Sequence, residues 1–280
     1  MTQPERVFTE VDGLRLHHLD WGGSGPPVVC LHGLTGNAHA FDGLARSLAP
    51  ALRFLSLDVR GRGDSEWGPP EGYQLPRYVA DLGIWLDALH LDRVALVGTS
   101  MGGIISMLFA AAQPDRVERL VLNDIGPAID PRGLERIRGY VGTAPERFPD
   151  PEAAAEWFRE NYPGLRASDE QLLAMIGHAV KPLPEGGFGW KYDRAIRQAM
   201  NEPAAAAAAA PELWPIAEAL RGPTLVVRGG ISDILSVETA SEMTRRMKDC
   251  RAVEVPGVGH APLLGEPEAL RAVRDFFGVG

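Results

Sequence analysis

The sequence is poor in three features that would each have indicated another class of protein. It has two cysteines in 280 residues, Cys30 and Cys250, without metal-ligand spacing, which argues against a disulfide scaffold or a cysteine metal site. It has no basic cluster and a net charge of −9, which argues against nucleic acid or an anionic membrane surface as the main partner. It has no apolar run near the ~20 residues that cross a bilayer and no signal-peptide core. We therefore expect a cytoplasmic protein.

The composition that remains is that of a globular protein with a large core. Apolar residues make up 45% of the chain and charged residues 23%. A chain of this length can bury enough apolar surface to need neither disulfides nor a structural metal. We predict one core with an inserted piece.

Eight extended stretches are predicted. Val7–Val11 and Leu14–Asp20 are separated by Asp12-Gly13, which is a strong hairpin signal. Six short apolar runs are typical of strands buried on both faces: Val28–Leu31, Phe54–Leu57, Val94–Val97, Leu120–Leu122, Thr224–Val227 and Ala252–Val255. Helical stretches such as Tyr78–Leu89 lie between several of them. This alternation predicts an α/β fold, with a mostly parallel sheet and helices on both faces.

The alternation stops between about Gly126 and Arg221. This segment is helical in pattern, is rich in Ala, Pro and Trp, has no clear buried strand, and includes the run Ala204–Ala210. We predict a core formed by residues 1–126 and 212–280, with a helical insertion at 127–211.

The motif Gly98–Gly102 carries the clearest chemical signal. It lies between the predicted strand Val94–Val97 and a helix that begins near Ile104. A serine on so tight a turn is forced into a strained conformation, and small neighbours avoid a clash. Its hydroxyl is then exposed beside the positive end of a helix. We predict that Ser100 is a nucleophile; the alternative is a structural glycine turn.

A serine hydroxyl needs a base to accept its proton, and seven histidines are available. His260 lies in a Gly/Pro loop just past the last predicted strand, at the sheet edge where Ser100 emerges. We predict that it is the base. His17 and His18 are adjacent on one strand, so one should face outward, and we interpret both as structural or surface residues. His32 is interpreted as a residue that pins its loop.

The base needs an acidic partner, and two aspartates follow predicted strands at this edge. Asp233 follows Thr224–Val227, and Asp124 follows Leu120–Leu122. We favour Asp233, with Asp124 as the alternative acid or as a residue of the pocket wall. The negative charge that develops on an attacked carbonyl needs preplaced donors. The backbone N–H groups of Met101 and Leu34 are predicted to form this oxyanion hole.

Together these motifs resemble the α/β-hydrolase superfamily, and most closely its lid-bearing branch of esterases, lactonases and C–C-bond hydrolases. The motifs that carry the resemblance span nearly the whole chain in the family's order: His32-Gly33, Asp58–Ser65, Gly98–Gly103, the Asp233 loop and Gly259-His260. The resemblance implies an eight-stranded sheet, a helical lid at 127–211, a structural turn at 58–65 and an acyl-enzyme mechanism. Epoxide hydrolases and haloalkane dehalogenases place an aspartate where this chain has Ser100, which argues against alkyl displacement.

The resemblance favours a small carboxylic ester or lactone as substrate. Candidates for an apolar pocket wall are Trp157, Trp190 and Trp214, although packing within the lid is the alternative for each. A C–C-bond or amide hydrolase, a cofactor-free peroxidase, and a small-molecule receptor of this fold remain open. We predict no metal, no cofactor, no nucleic-acid or membrane partner, and a monomer or homodimer.

Overall fold

The computed structural model describes residues 3–49, 51–201 and 212–279. All eight predicted strands are present in one sheet. The strands are β1 (Glu5–Val11), β2 (Leu14–Asp20), β3 (Pro27–Leu31), β4 (Arg53–Leu57), β5 (Val94–Thr99), β6 (Val117–Asn123), β9 (Thr224–Gly229) and β10 (Cys250–Val255). They run in the order β1-β2-β4-β3-β5-β6-β9-β10. Strand β2 is antiparallel to both of its neighbours, and the other pairs are parallel. The carboxyl ends of the parallel strands β3, β4, β5, β6, β9 and β10 therefore meet at one edge.

Helices cover both faces of this sheet. The helices of the described residues are α1 (Asp42–Leu48), α2 (Leu75–Ala88), α3 (Met101–Ala112), α4 (Pro131–Thr143), α5 (Pro151–Asn161), α6 (Asp169–Ala179), α7 (Arg194–Asn201), α8 (Trp214–Glu218), α9 (Val237–Arg246) and α10 (Pro267–Phe277). One apolar layer includes Trp85 of α2 and Phe109 of α3, and the other includes Leu44 of α1 and Phe276 of α10. None of the helices within the described residues is long and apolar enough to cross a bilayer.

Helices α4 to α7 lie between β6 and β9, within the predicted insertion. They have a small apolar cluster of their own, which includes Phe148, Leu172 and Ile176. The segment is not entirely helical, because β7 (Val180–Pro182) and β8 (Phe188–Trp190) form a short antiparallel hairpin that was not predicted. Three-residue strands are too short to show a period in the sequence. Ala204–Ala210 lies outside the described residues, and the division at 127 and 211 stays a prediction.

The expectation that His17 or His18 faces outward is also wrong, because both side chains are buried. Strand β2 lies between β1 and β4, and both of its faces are covered. The Nδ1 atom of His17 lies 2.7 Å from Asp58 Oδ2, whereas the His18 ring meets the edge of Trp85 at 5.0 Å. Burial lowers the pKa of His18 to about 4. Both histidines are structural.

Candidate active site

The predicted serine turn is present at the carboxyl end of β5. Ser100 lies between β5 and α3 with φ 51° and ψ −117°, a left-handed conformation that side chains rarely adopt. A Cβ atom at Gly98 would lie 2.5 Å from Gly103 N, and one at Gly102 would lie 1.9 Å from Leu31 O. Only glycine therefore fits at positions 98 and 102, which explains the small neighbours of the serine.

The structure brings Ser100 and His260 together, although they come from different loops. Ser100 Oγ lies 2.9 Å from His260 Nε2, and His260 Nδ1 lies 2.8 Å from Asp124 Oδ2. An ionised carboxylate only accepts hydrogen bonds, so Nδ1–H donates to Asp124. The Nε2 atom of the neutral ring then accepts the hydroxyl proton of Ser100. A proton on Ser100 thus has a direct path to the imidazole.

Hydrogen bonds from three residues fix the carboxylate of Asp124. It follows β6 with φ 54°, a left-handed conformation that aspartate tolerates, and its side chain is fully buried. Besides the imidazole, its carboxylate accepts the Gly229 N–H at 2.8 Å and the Ser232 hydroxyl at 2.6 Å. These donors satisfy the buried charge and fix the carboxylate behind the histidine. Asp124 does not line the cavity described below.

Asp233, the favoured sequence prediction for the acid, is engaged elsewhere. Its two oxygens lie 2.5 and 2.8 Å from the guanidinium of Arg136 on α4. This pairing holds the pKa of Asp233 below its usual value. Among the hydrogen bonds of residues 3–49, 51–201 and 212–279, Asp233 makes none to His260. The prediction that Asp233 contacts the base is therefore wrong, and the alternative, Asp124, makes this contact.

The two predicted oxyanion donors lie on either side of the serine. Met101 begins α3, and the loop that carries Leu34 passes over Ser100, since a Cβ atom at Gly33 would lie 3.6 Å from Ser100 Cβ. Within the described part of the chain, no hydrogen bond uses the backbone N–H of Leu34 or Met101. Both groups are thus available to a negatively charged oxygen. Their role as the oxyanion hole stays a prediction.

Buried side chains hold the Leu34 loop in place. Val59 N–H donates to His32 Nε2 at 3.0 Å, so the His32 proton is on Nδ1, which donates to Gly33 O at 2.7 Å. Burial lowers the pKa of His32 to about 4, which keeps the ring neutral. Arg62 Nε donates to Leu34 O at 2.5 Å, which fixes the peptide that follows the predicted donor. His32 and the 58–65 turn are therefore structural, as expected.

A cavity of about 180 Å³ lies beside Ser100 and His260. The Leu34 loop forms one wall, and the inserted segment contributes the other, which includes Tyr140, Phe158, Tyr162 and Met175. Tyr162 stacks on Phe158 with ring centroids 3.7 Å apart. Among the described residues, no Lys, Arg, Asp or Glu lines this cavity. It is suited to a neutral, apolar group.

The three tryptophans predicted for the pocket wall do not line this cavity. Trp157 and Trp190 line a separate cavity of about 30 Å³ behind Tyr162. Trp214 lies on α8 and packs under the guanidinium of Arg246 at 3.8 Å. For all three, the alternative of structural packing is the better description. The aromatic residues that do line the cavity were not predicted. The four-residue spacing of Phe158 and Tyr162, which puts both on one face of a helix, was the available signal.

The inserted segment also contacts the backbone next to the histidine. Gly259 N–H donates to Gly164 O at 3.1 Å. A Cβ atom at Gly164 would lie 2.6 Å from Gly259 N, and one at Gly259 would lie 2.1 Å from Pro163 O. The turn between α5 and α6 thus packs directly against the residue that precedes His260.

Comparison with known proteins agrees with this geometry. The sequence pattern of the family described as alpha/beta hydrolase fold matches residues 26–267. This chain belongs to that family. A solved structure of an alpha/beta hydrolase from Novosphingobium aromaticivorans has a TM-score of 0.90 and 39% identity, and the match covers 100% of both chains.

Curated relatives of this α/β hydrolase are named for hydrolytic activities. A 3-hydroxybutyrate-oligomer hydrolase of Cupriavidus necator is 37% identical over 94% of this chain and 92% of its own. An esterase of Mycobacterium tuberculosis is 32% identical over 90% of this chain and 82% of its own. The protein is thus a hydrolase of the α/β fold, as the resemblance implied.

Proposed function

We propose that this α/β hydrolase is a serine hydrolase that cleaves small carboxylic esters or lactones through an acyl-enzyme intermediate. The observation that carries the proposal is the unbroken series of hydrogen bonds from Ser100 through His260 to Asp124, at 2.9 and 2.8 Å. Such a series raises the nucleophilicity of a serine and stabilises the imidazolium that forms when the proton is transferred.

In the first half-reaction, Ser100 Oγ attacks the ester carbonyl while His260 Nε2 accepts the hydroxyl proton. The backbone N–H groups of Leu34 and Met101 stabilise the oxyanion. The intermediate then collapses, and His260 gives its proton to the leaving alkoxide, which departs as an alcohol. In the second half-reaction, His260 takes a proton from water, whose oxygen attacks the acyl carbon. The carboxylic acid leaves, and Ser100 regains its proton.

The substrate class rests on the cavity and on the relatives. Because no Lys, Arg, Asp or Glu among the described residues lines the cavity beside Ser100, this cavity favours a neutral acyl group over a di-acid or an ammonium compound. The name of the Cupriavidus relative makes a short 3-hydroxybutyrate oligoester a second candidate, since each of its internal links is a carboxylic ester.

Hydrolysis of a short p-nitrophenyl ester tests the proposal. We expect Ser100→Ala to lower kcat by at least about 10³-fold, whereas Ser241→Ala, an exposed serine on α9, should leave it unchanged. A fluorophosphonate should add one label to the wild type and none to Ser100→Ala, measured by intact mass. Wild-type turnover in Ser100→Ala would refute the nucleophile assignment.

A further inference from the structure

A group of metal-ligating side chains lies where the inserted segment meets the core, outside the proposed catalytic residues. His39 lies in a short turn (Ala38–Phe41) just before α1, Asp42 is the first residue of α1, and His178 lies in the last turn of α6. The nearest ligand atoms of these three side chains all lie within 4.8 Å of one another. Two of the residues belong to the core and one to the inserted segment.

The contacts within this group leave ligand capacity unused. His39 Nδ1 and Arg46 Nη2 each lie 3.1 Å from Asp42 Oδ2. The other carboxylate oxygen, Asp42 Oδ1, is buried and has no hydrogen-bond partner among the described residues. The rings of His39 and His178 stack with their centroids 3.5 Å apart and an interplanar angle of 10°.

A second group of histidine and aspartate side chains differs from the group at His39 in that its carboxylates are hydrogen-bonded. His17, Asp58 and Asp64 also have ligand atoms within 4.8 Å of one another. There, however, Asp58 accepts hydrogen bonds from His17, from the Ala38 N–H and from the Asp64 N–H, and Asp64 pairs with Lys191. That group is satisfied by protein donors. The unpaired oxygen of Asp42 distinguishes the group at His39.

We propose that His39, Asp42 and His178 bind a divalent transition-metal ion of the zinc class, and that the bound ion ties α6 to the core. Two imidazoles and one carboxylate are ligands that Zn²⁺, Co²⁺ and Ni²⁺ accept, with water completing the coordination. Stacking keeps the in-plane nitrogen lone pairs of the two rings in nearly parallel planes, where they cannot converge on one ion. Binding therefore requires one ring to turn about its Cβ–Cγ bond.

The position of the site implies an effect on turnover. His39 lines the cavity beside Ser100 and also a second cavity of about 410 Å³, whose wall includes His178. The two cavities share wall residues, including His39 and Met175, so a metal ion that joins His39 to His178 would fix this shared wall. We expect Zn²⁺ to inhibit hydrolysis reversibly, and a chelator to restore it.

Calorimetric titration with Zn²⁺ tests binding without any assay of activity. The wild type and Ser100→Ala should each bind one ion at this site, and His178→Gln should bind it at least tenfold more weakly. The matched control is His90→Gln, which changes a histidine at the end of α2 and should bind as the wild type does. Co²⁺ should give the intense visible absorption of a low-coordinate site in the wild type, Ser100→Ala and His90→Gln, but not in His178→Gln. Equal Zn²⁺ affinity in the wild type and His178→Gln would overturn the proposal.

The inhibition experiment rests on the proposed esterase function, whereas the calorimetric experiment does not. Zn²⁺ should inhibit wild-type ester hydrolysis over the concentration range in which it binds. His178→Gln, compared with its own metal-free rate, should need at least tenfold more Zn²⁺. Unchanged inhibition in that variant would place the inhibitory ion at another site and refute this part of the proposal. An inactive protein that still binds Zn²⁺ through His178 would refute only the proposed function.

Discussion

Contacts around Ser100 fall into two groups that differ in burial. Inside the core, Asp124 and His32 are fully buried, and their polar contacts are to other core residues. At the seam between the core and the inserted segment, Asp233 and Arg136 form an ion pair whose side chains are 34% and 25% exposed. Contacts within the core therefore determine the charge and the proton positions of the catalytic side chains. Contacts at the seam determine where the cavity wall lies. Three experiments with substituted proteins test this division.

The largest expected effect separates the two aspartates. Asp124→Asn should lower kcat by about 10³- to 10⁴-fold, because an amide cannot hold the histidine in the required tautomer. Asp233→Asn should lower it less than about tenfold and reduce the free energy of unfolding by less than about 1 kcal/mol, because the pair it breaks is partly exposed. Steady-state kinetics and urea unfolding of both variants measure these effects. A larger kcat loss for Asp233→Asn would reverse the assignment.

The second effect concerns His32 and the pH dependence of stability. Its pKa is about 4 in the folded protein and about 6.5 when unfolded, so the unfolded state binds more protons between these values. The free energy of unfolding should therefore fall by about 3 kcal/mol as the pH drops from 6.5 to 4, from this group alone. His32→Asn, whose amide nitrogen can replace Nδ1, should flatten this slope in urea unfolding. If the free energies of unfolding of the wild type and His32→Asn fall in parallel with pH, the assignment is wrong. His18 accounts for part of the slope that remains in the variant.

The smallest effect tests the seam itself. Gly164 and Gly257 have φ values of 75° and 70°, so alanine costs about 1–2 kcal/mol of strain at either position. Only at Gly164 would the added methyl group collide with Gly259, because nothing lies within 4 Å at Gly257. Gly164→Ala should lower kcat about ten- to a hundredfold by displacing His260. Gly257→Ala should lose similar stability but keep its kcat, and equal kcat values in the two variants would show that this contact does not position the histidine.

The strands, the serine turn and the histidine could be predicted because each has a local cause. Apolar runs mark strands buried on both faces, and the glycines around Ser100 answer steric demands within a few residues. Six strands of the sheet were predicted on this basis, and the first two from the Asp12-Gly13 hairpin signal between them. The two-stranded hairpin at Val180–Pro182 was missed because it is too short to show a pattern.

The choice between the aspartates could not be predicted because its cause is not local. Both follow strands at the same sheet edge and both lie between Ser100 and His260 in the chain, so neither feature decides between them. Asp124 is held toward the histidine by its left-handed backbone and by a hydrogen bond from Ser232, more than a hundred positions away. Asp233 instead pairs with Arg136 from the inserted segment. The prediction that the three tryptophans line the cavity was wrong for the same reason. A large aromatic residue fits a packed interior as well as a pocket wall, and the local sequence does not distinguish the two.

The uncharged cavity beside Ser100 has a consequence for the direction of the reaction. Under the proposed function, a neutral ester enters and a carboxylate remains after hydrolysis. Because no lysine or arginine lines the cavity, among the described residues, that anion has no fixed countercharge there and gains from returning to water. Hydrolysis thus converts an ester that the cavity binds well into a carboxylate that it binds poorly. Release of the acid therefore needs no separate structural feature. Weak inhibition by added carboxylate product is its experimental signature.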